Sequence, residues 1–194
     1  MSTPTIFYLH GFASAGNGPK AQALRSRFGP RSVLSPDLPI DPRAVRDEVD
    51  SLIRTARSSP LILVGTSLGG FYACYFSRRW SLPCVLVNPS MEPSRTVGKR
   101  IGTHRNYSTG ADFEVTQEHA REWAAMEASL AEGLDARLVS LFLAQDDDVL
   151  PYTSALQRIP ADAFRCVTPD GGHRYESHWG SVMDRIAAVA ASLG

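Results

Sequence analysis

The chain has 194 residues, 43% hydrophobic and 21% charged, and its basic and acidic residues balance to a formal charge of zero. That length suits one domain with a core of its own, and the balance gives no global attraction to nucleic acid or an anionic membrane surface. No apolar run approaches the ~20 residues that span a bilayer, and Met1–Ile6 lacks the basic-then-apolar order of a secretory signal.

Apolar, β-prone runs alternate with helical patterns along the chain, which predicts an α/β domain with a parallel sheet. A strand over Thr5–Leu9 is followed by a helix over Lys20–Phe28, a strand over Ser32–Ser35 and a helix over Pro42–Ala56. In that helix Ala44-Val45, Val49, Leu52-Ile53 and Ala56 recur at three-to-four spacing, one buried stripe. Strands over Leu61–Val64 and Cys84–Val87 flank a helix over Leu68–Trp80. Strands over Leu138–Leu143 and Phe164–Val167 follow, with helices over Pro151–Gln157 and Ser177–Leu193. The apolar runs are continuous, as strands covered on both faces require. Residues 91–135 break the rhythm: a Pro/Gly/Arg-rich stretch leads to a helix-like run, Thr116–Leu130. An excursion after a strand's carboxyl end is where an active-site cover would sit.

The junction after Leu61–Val64 carries the chemistry. Gly65-Thr66-Ser67-Leu68-Gly69 is a G-x-S-x-G pentapeptide between a strand and a helix, a turn that strains the serine backbone and lifts its hydroxyl clear of the sheet. Ser67 is therefore the candidate nucleophile, against the blander reading of a chance turn. A hydroxyl needs a base to take its proton and usually a carboxylate to orient that base. Downstream, the fifth strand runs into Asp146-Asp147-Asp148-Val149-Leu150-Pro151 and the sixth into Gly171-Gly172-His173. Asp147-Asp148-Val149-Leu150-Pro151 resembles the D-x-V-V-P loop found after this strand in α/β-hydrolases, a resemblance that favours Asp147 as the acid, with Asp146 a turn residue and Asp148 outside or capping the next helix; the choice among the three stays open. His173 is favoured as base over His178, whose setting suggests the start of the last helix, and over His104 and His119 in the insertion. Backbone N–H groups of Leu68 and Phe12 are the candidates for an oxyanion hole, with His10 shaping the loop. Neither metal nor organic cofactor is called for. Cys74, Cys84 and Cys166 share no C-x-x-C spacing and lie in apolar segments, which points to buried thiols in a reducing compartment, the cytoplasm.

His10-Gly11-Phe12-Ala13-Ser14, Gly65-Thr66-Ser67-Leu68-Gly69-Gly70-Phe71-Tyr72-Ala73, Val87-Asn88-Pro89, Tyr107-Ser108-Thr109-Gly110 and Gly171-Gly172-His173-Arg174-Tyr175 resemble the YqiA/YcfP-like small esterases of the α/β-hydrolase superfamily. The resemblance implies a single domain over 1–194 with a compact α/β-hydrolase fold. Six mainly parallel strands in the order 2-1-3-4-5-6 would carry helices on both faces, with residues 91–135 as a lid after the fourth strand. It also implies a serine esterase with Ser67, Asp147 and His173 as triad, acting on small esters or acyl thioesters.

Other readings attach to the same residues. Arg95, Lys99, Arg100, His104 and Arg105 would suit a clamp for an anionic leaving group, or simply a solvated basic loop. Tyr107 and Trp123 are candidates for substrate contact, although burial explains such aromatics equally well. A non-catalytic binding module on the same fold is the rival from another class.

Overall fold

The computed structural model describes residues 4–193. Met1–Thr3, part of the stretch on which the absence of a signal was expected, lie outside the described residues.

Six parallel strands form the central sheet: β1 (Thr5–Leu9), β2 (Val33–Leu34), β3 (Leu61–Thr66), β4 (Cys84–Val87), β7 (Val139–Ala144) and β8 (Phe164–Thr168). Their order is β2-β1-β3-β4-β7-β8, with register pairs such as Tyr8↔Val64, Val64↔Val85 and Val85↔Ser140. The expected order 2-1-3-4-5-6 assumed no strands in the insertion. Two occur there, so the last two sheet members carry higher numbers.

Alternation along each strand sends side chains to opposite faces. Phe7, Leu9, Leu61, Leu63 and Leu86 face one layer, where α2 (Pro42–Ala56) and α3 (Leu68–Trp80) pack. Ile6, Tyr8, Ile62, Val64 and Val85 face the other, against α1 (Pro19–Phe28) and α7 (Trp179–Ser192). Both faces being covered explains the unbroken apolar runs of the inner strands. Edge strand β8 departs from this: Phe164 and Val167 are exposed and Cys166 is only half-buried, because no neighbouring strand closes that side.

In α2 the buried stripe is Val45, Val49 and Ile53, with Leu52 and Ala56 half-buried; Ala44 is exposed, contrary to expectation. Asp50 lies on the buried face because it accepts hydrogen bonds from Arg79 and from Trp80 Nε1 (2.7 Å), which satisfy its charge.

Between β4 and β7 the chain forms α4 (Pro93–Thr96), an antiparallel hairpin of β5 (Gly102–Arg105) and β6 (Asp112–Val115), and α5 (Gln117–Leu130). Thr116 and His119 close a capping box at the start of α5, which gives that histidine a structural task. Trp123 and Met126 of α5 enter the core beside α3. Helix α6 (Tyr152–Arg158) follows β7; it starts one residue later than expected, with Pro151 as its N-cap. Helix α7 begins at Trp179 instead of Ser177, because Tyr175, at φ 54°, holds the preceding residues in a turn.

Candidate active site

Ser67 sits between β3 and α3 at φ 54° and ψ −122°, a strained backbone for a residue with a side chain. The surroundings hold it there. Its N–H donates to Val87 O at 3.0 Å, and its carbonyl accepts from Gly70 N (2.9 Å) and Ser90 N (3.0 Å). The turn is tight enough that a Cβ on Gly65 would lie 2.1 Å from Gly69 O, and one on Gly69 would lie 2.0 Å from Leu9 O. Glycine is the only residue that fits such approaches.

The loops after β7 and β8 reach the same edge of the sheet. His173 Nε2 lies 2.9 Å from Ser67 Oγ, and its Nδ1 lies 2.9 Å from Asp147 Oδ2. The Asp147 side chain is 1% exposed and Oδ1 also accepts from Val149 N and Leu150 N at 2.9 Å. Burial alone would raise this carboxyl. The bonds from His173, Leu150 and Val149 outweigh it and hold Asp147 below the ordinary carboxylate value, so the carboxylate is charged at neutral pH. A hydroxyl, an imidazole and a carboxylate thus form one continuous chain of hydrogen bonds.

The two neighbouring aspartates do other work. Asp146 Oδ1 accepts from Gly172 N at 2.8 Å, which ties the acid loop to the histidine loop, and Asp148 is exposed. His178 Nε2 lies 2.9 Å from Asp170 Oδ1, and the residue occupies the N-cap position of α7 without a side-chain capping bond.

Asn88, directly after β4, supports the imidazole in a way that chain order alone does not reveal. Its Nδ2 donates to Gly172 O (2.9 Å) and His173 O (3.2 Å), while its Oδ1 accepts from Ala144 N (2.9 Å). One buried amide therefore joins the ends of β4 and β7 to the His173 loop. Its φ of 42° is one that asparagine tolerates better than most residues.

The loop after β1 closes the other side. A Cβ on Gly11 would lie 3.3 Å from Ser67 Cβ, so this backbone runs right beside the serine. Backbone N–H groups of Phe12 and Leu68 take no hydrogen-bond partner among the described residues. His10 braces the loop: Leu38 N donates to Nε2 at 2.9 Å, so the proton sits on Nδ1 and donates to Gly11 O at 2.8 Å. Burial lowers the His10 pKa from 6.5, only partly offset by Gly11 O and Asp37, which favours this neutral tautomer.

Two cavities flank the loop. The larger, about 640 Å³, is lined by Ser67 and His173 together with Lys20, Tyr107 and Trp179. The smaller, about 150 Å³, lies behind Phe12 and Leu68 and is walled by Leu38, Ile40, Tyr72 and Phe113. Tyr107 is 83% exposed on the rim of the larger one, its N–H bonded to Ala13 O. Trp123 is not a contact residue. It is fully buried, lines neither cavity, and its Nε1 donates to Tyr72 Oη at 2.8 Å, because α5 turns that face toward α3. Nor do Arg95, Lys99, Arg100, His104 or Arg105 line either cavity. Arg95 pairs with Glu92, and the His104 ring packs on Phe12 and Phe113.

Residues 5–190 match the model of an uncharacterised protein family, UPF0227. The chain belongs to that family. A UPF0227 protein of Shewanella woodyi is 31% identical over 119 residues, and one of Pectobacterium carotovorum 29% over 107. These matches cover 58% and 53% of this UPF0227 chain, and span 65% and 59% of those relatives. Among solved structures, mouse alpha/beta hydrolase domain-containing protein 10 superposes with a TM-score of 0.73 at 18% identity, covering 100% of this chain and 92% of that one. A monoacylglycerol lipase of Paleococcus ferrophilus gives 0.67 at 15% (100% and 96%), and an esterase of Exiguobacterium antarcticum 0.65 at 12% (98% and 92%). At such identities the likeness is one of fold, and the fold is that of the α/β-hydrolases. No helix of the described residues is long and apolar enough to cross a membrane.

Proposed function

We propose that this UPF0227 protein is a serine hydrolase that cleaves carboxylic esters of short to medium acyl chains. The unbroken hydrogen-bonded line Asp147–His173–Ser67 carries the reading. His173 Nε2 takes the Ser67 hydroxyl proton as Oγ forms a bond to the substrate carbonyl carbon. The negative oxygen that results is held by the free N–H groups of Phe12 and Leu68. Collapse breaks the carbon–oxygen bond of the ester, His173 returns its proton to the departing alcohol, and Asp147 stabilises the imidazolium throughout. Water, deprotonated by the same imidazole, then releases the acid and restores Ser67. The machinery requires no metal or cofactor.

The small cavity accepts the acyl chain. Its volume resembles that of apolar cavities that take a benzene-sized guest, which limits the chain to about six carbons. Asn106, Ala111 and Phe113 of the 91–135 insertion wall it, in keeping with a lid within one domain. Three free cysteines, two of them buried, suit a reducing cytoplasm.

A panel of p-nitrophenyl esters of graded chain length, run beside the matching acyl-CoA thioesters, tests the reading. Hydrolysis should peak at or below about six acyl carbons and fall by several orders of magnitude in Ser67→Ala. Equal activity in that variant would defeat the assignment, and a clear preference for the thioesters would make the protein a thioesterase.

A further inference from the structure

Three charged side chains that the hydrolytic steps leave unused line the larger cavity: Lys20, Arg174 and Glu176. Lys20, in the first turn of α1, lines it together with Ser67 and His173. Its Nζ stands 5.5 Å from the centroid of the Trp179 ring, another wall of the same cavity. The charges that act on it are Glu176 and Arg174, which line the same cavity and pair with each other at 3.9 Å. No carboxylate lies within salt-bridge distance of Lys20 among the described residues. Tyr8, which also lines the space, stays protonated, since burial pushes its hydroxyl up to about 12 and Thr66 offsets that only in part.

A half-buried ammonium held on an aromatic face, without an ion-pair partner, is costly unless a ligand supplies the missing charge. Burial lowers the Lys20 pKa, an effect that Glu176 opposes and Arg174 reinforces, as expected of an ammonium short of negative neighbours. Because the lining of the small cavity includes Asp112 but no lysine or arginine, an anionic leaving group is the part of the substrate that would share the larger cavity with Lys20.

We propose that Lys20, set against Trp179 in the larger cavity, binds an oxyanion on the leaving group, so that the substrates are esters of alcohols bearing a carboxylate or phosphate. The proposal rests on the hydrolase reading above and adds a substrate class to it.

The test compares 4-(carboxymethyl)phenyl butyrate with its uncharged carboxamide, whose leaving phenol is nearly as acidic. The anionic ester should have the higher kcat/KM by about tenfold, a typical return for a charge-assisted hydrogen bond. Lys20→Met should erase that ratio and Lys20→Arg should keep most of it. A phosphonomethyl analogue shows which oxyanion is preferred, and either anion outrunning the amide supports the proposal.

Binding supplies a readout independent of turnover. In Ser67→Ala protein, followed by NMR titration, 4-hydroxyphenylacetate should bind several-fold tighter than 4-hydroxyphenylacetamide. Lys20→Met in that background should remove the difference. Equal affinities, or an advantage that survives Lys20→Met, would overturn the anion site. Ser67-dependent hydrolysis of the neutral ester would leave the hydrolase reading standing in that event. Absence of any Ser67-dependent hydrolysis would instead strike the reading beneath it.

Discussion

Asn88→Gly is the most informative perturbation of the His173 support. It removes one donor shared by the carbonyls of Gly172 and His173 and one acceptor for Ala144 N–H, without adding backbone strain at φ 42°. Asn88 is 2% exposed and Ala144 fully buried, so water cannot readily replace these bonds. Leaving a polar group unpaired costs about 1–3 kcal/mol, three groups lose their partner here, and a shifted shell recovers most of that sum, so about 2–4 kcal/mol of stability should be lost. Asn88→Ala should lose about 1 kcal/mol more, because a Cβ without a polar group is disfavoured at positive φ. The kinetic effect comes from the loop. An imidazole displaced by about 1 Å lowers turnover by up to about 100-fold, so kcat should fall while KM for a small ester changes little. Urea denaturation and steady-state kinetics on p-nitrophenyl butyrate read both effects. An Asn88→Gly protein within about 0.5 kcal/mol of wild type, the ordinary range for surface substitutions, and with unchanged kcat, would refute the positioning role.

Gly69→Ala should lose more than about 3 kcal/mol or fail to fold, because its Cβ would meet the carbonyl oxygens of Leu9 and His10 at 2.0 and 2.4 Å; a variant denaturing at the wild-type urea concentration would contradict the close packing of α3 on the end of β1. His10 gives a signed pH dependence. Its folded pKa lies below 6.5, so the unfolded chain takes the proton first as the medium is acidified. Stability should therefore decline as pH drops below 6.5 and level off once the folded value is passed. His10→Gln should show a shallower decline in urea titrations between pH 7.5 and 5, and parallel curves for the two proteins would contradict the neutral tautomer.

How much of this was legible in the sequence depended on whether the signal was local. The strand–turn–helix around Ser67 was legible because Leu61–Val64 is unbrokenly apolar and the glycines at 65 and 69 allow only a tight bend. Chain order was enough to bring the loops of Asp147 and His173 to the same sheet edge, since parallel strands all end there. The β5–β6 hairpin was not expected, because Gly102–Arg105 and Asp112–Val115 are four residues each and mostly polar. The alternation of Phe113 and Val115 was its one signal, and their side chains are the less exposed ones of β6.

Trp123 went astray for a different reason. Which face of α5 meets the core is decided by α3, and a hydrogen bond to Tyr72 across that contact leaves no pattern in the chain. The roles of Asn88 and Lys20 are likewise tertiary. Asn88 could have been suspected from its place just after β4, at the same edge as Ser67. Nothing near Lys20 in the chain announces Trp179, which lies far along the sequence.

The central claim is that the hydroxyl of Ser67 is made nucleophilic by His173, and a fluorophosphonate reports that directly. Intact-mass spectrometry should find one adduct per chain, mapped to Ser67 by peptide sequencing, absent from Ser67→Ala and greatly slowed in His173→Ala. An unmodified wild-type protein, or an adduct that persists in Ser67→Ala, would contradict the account.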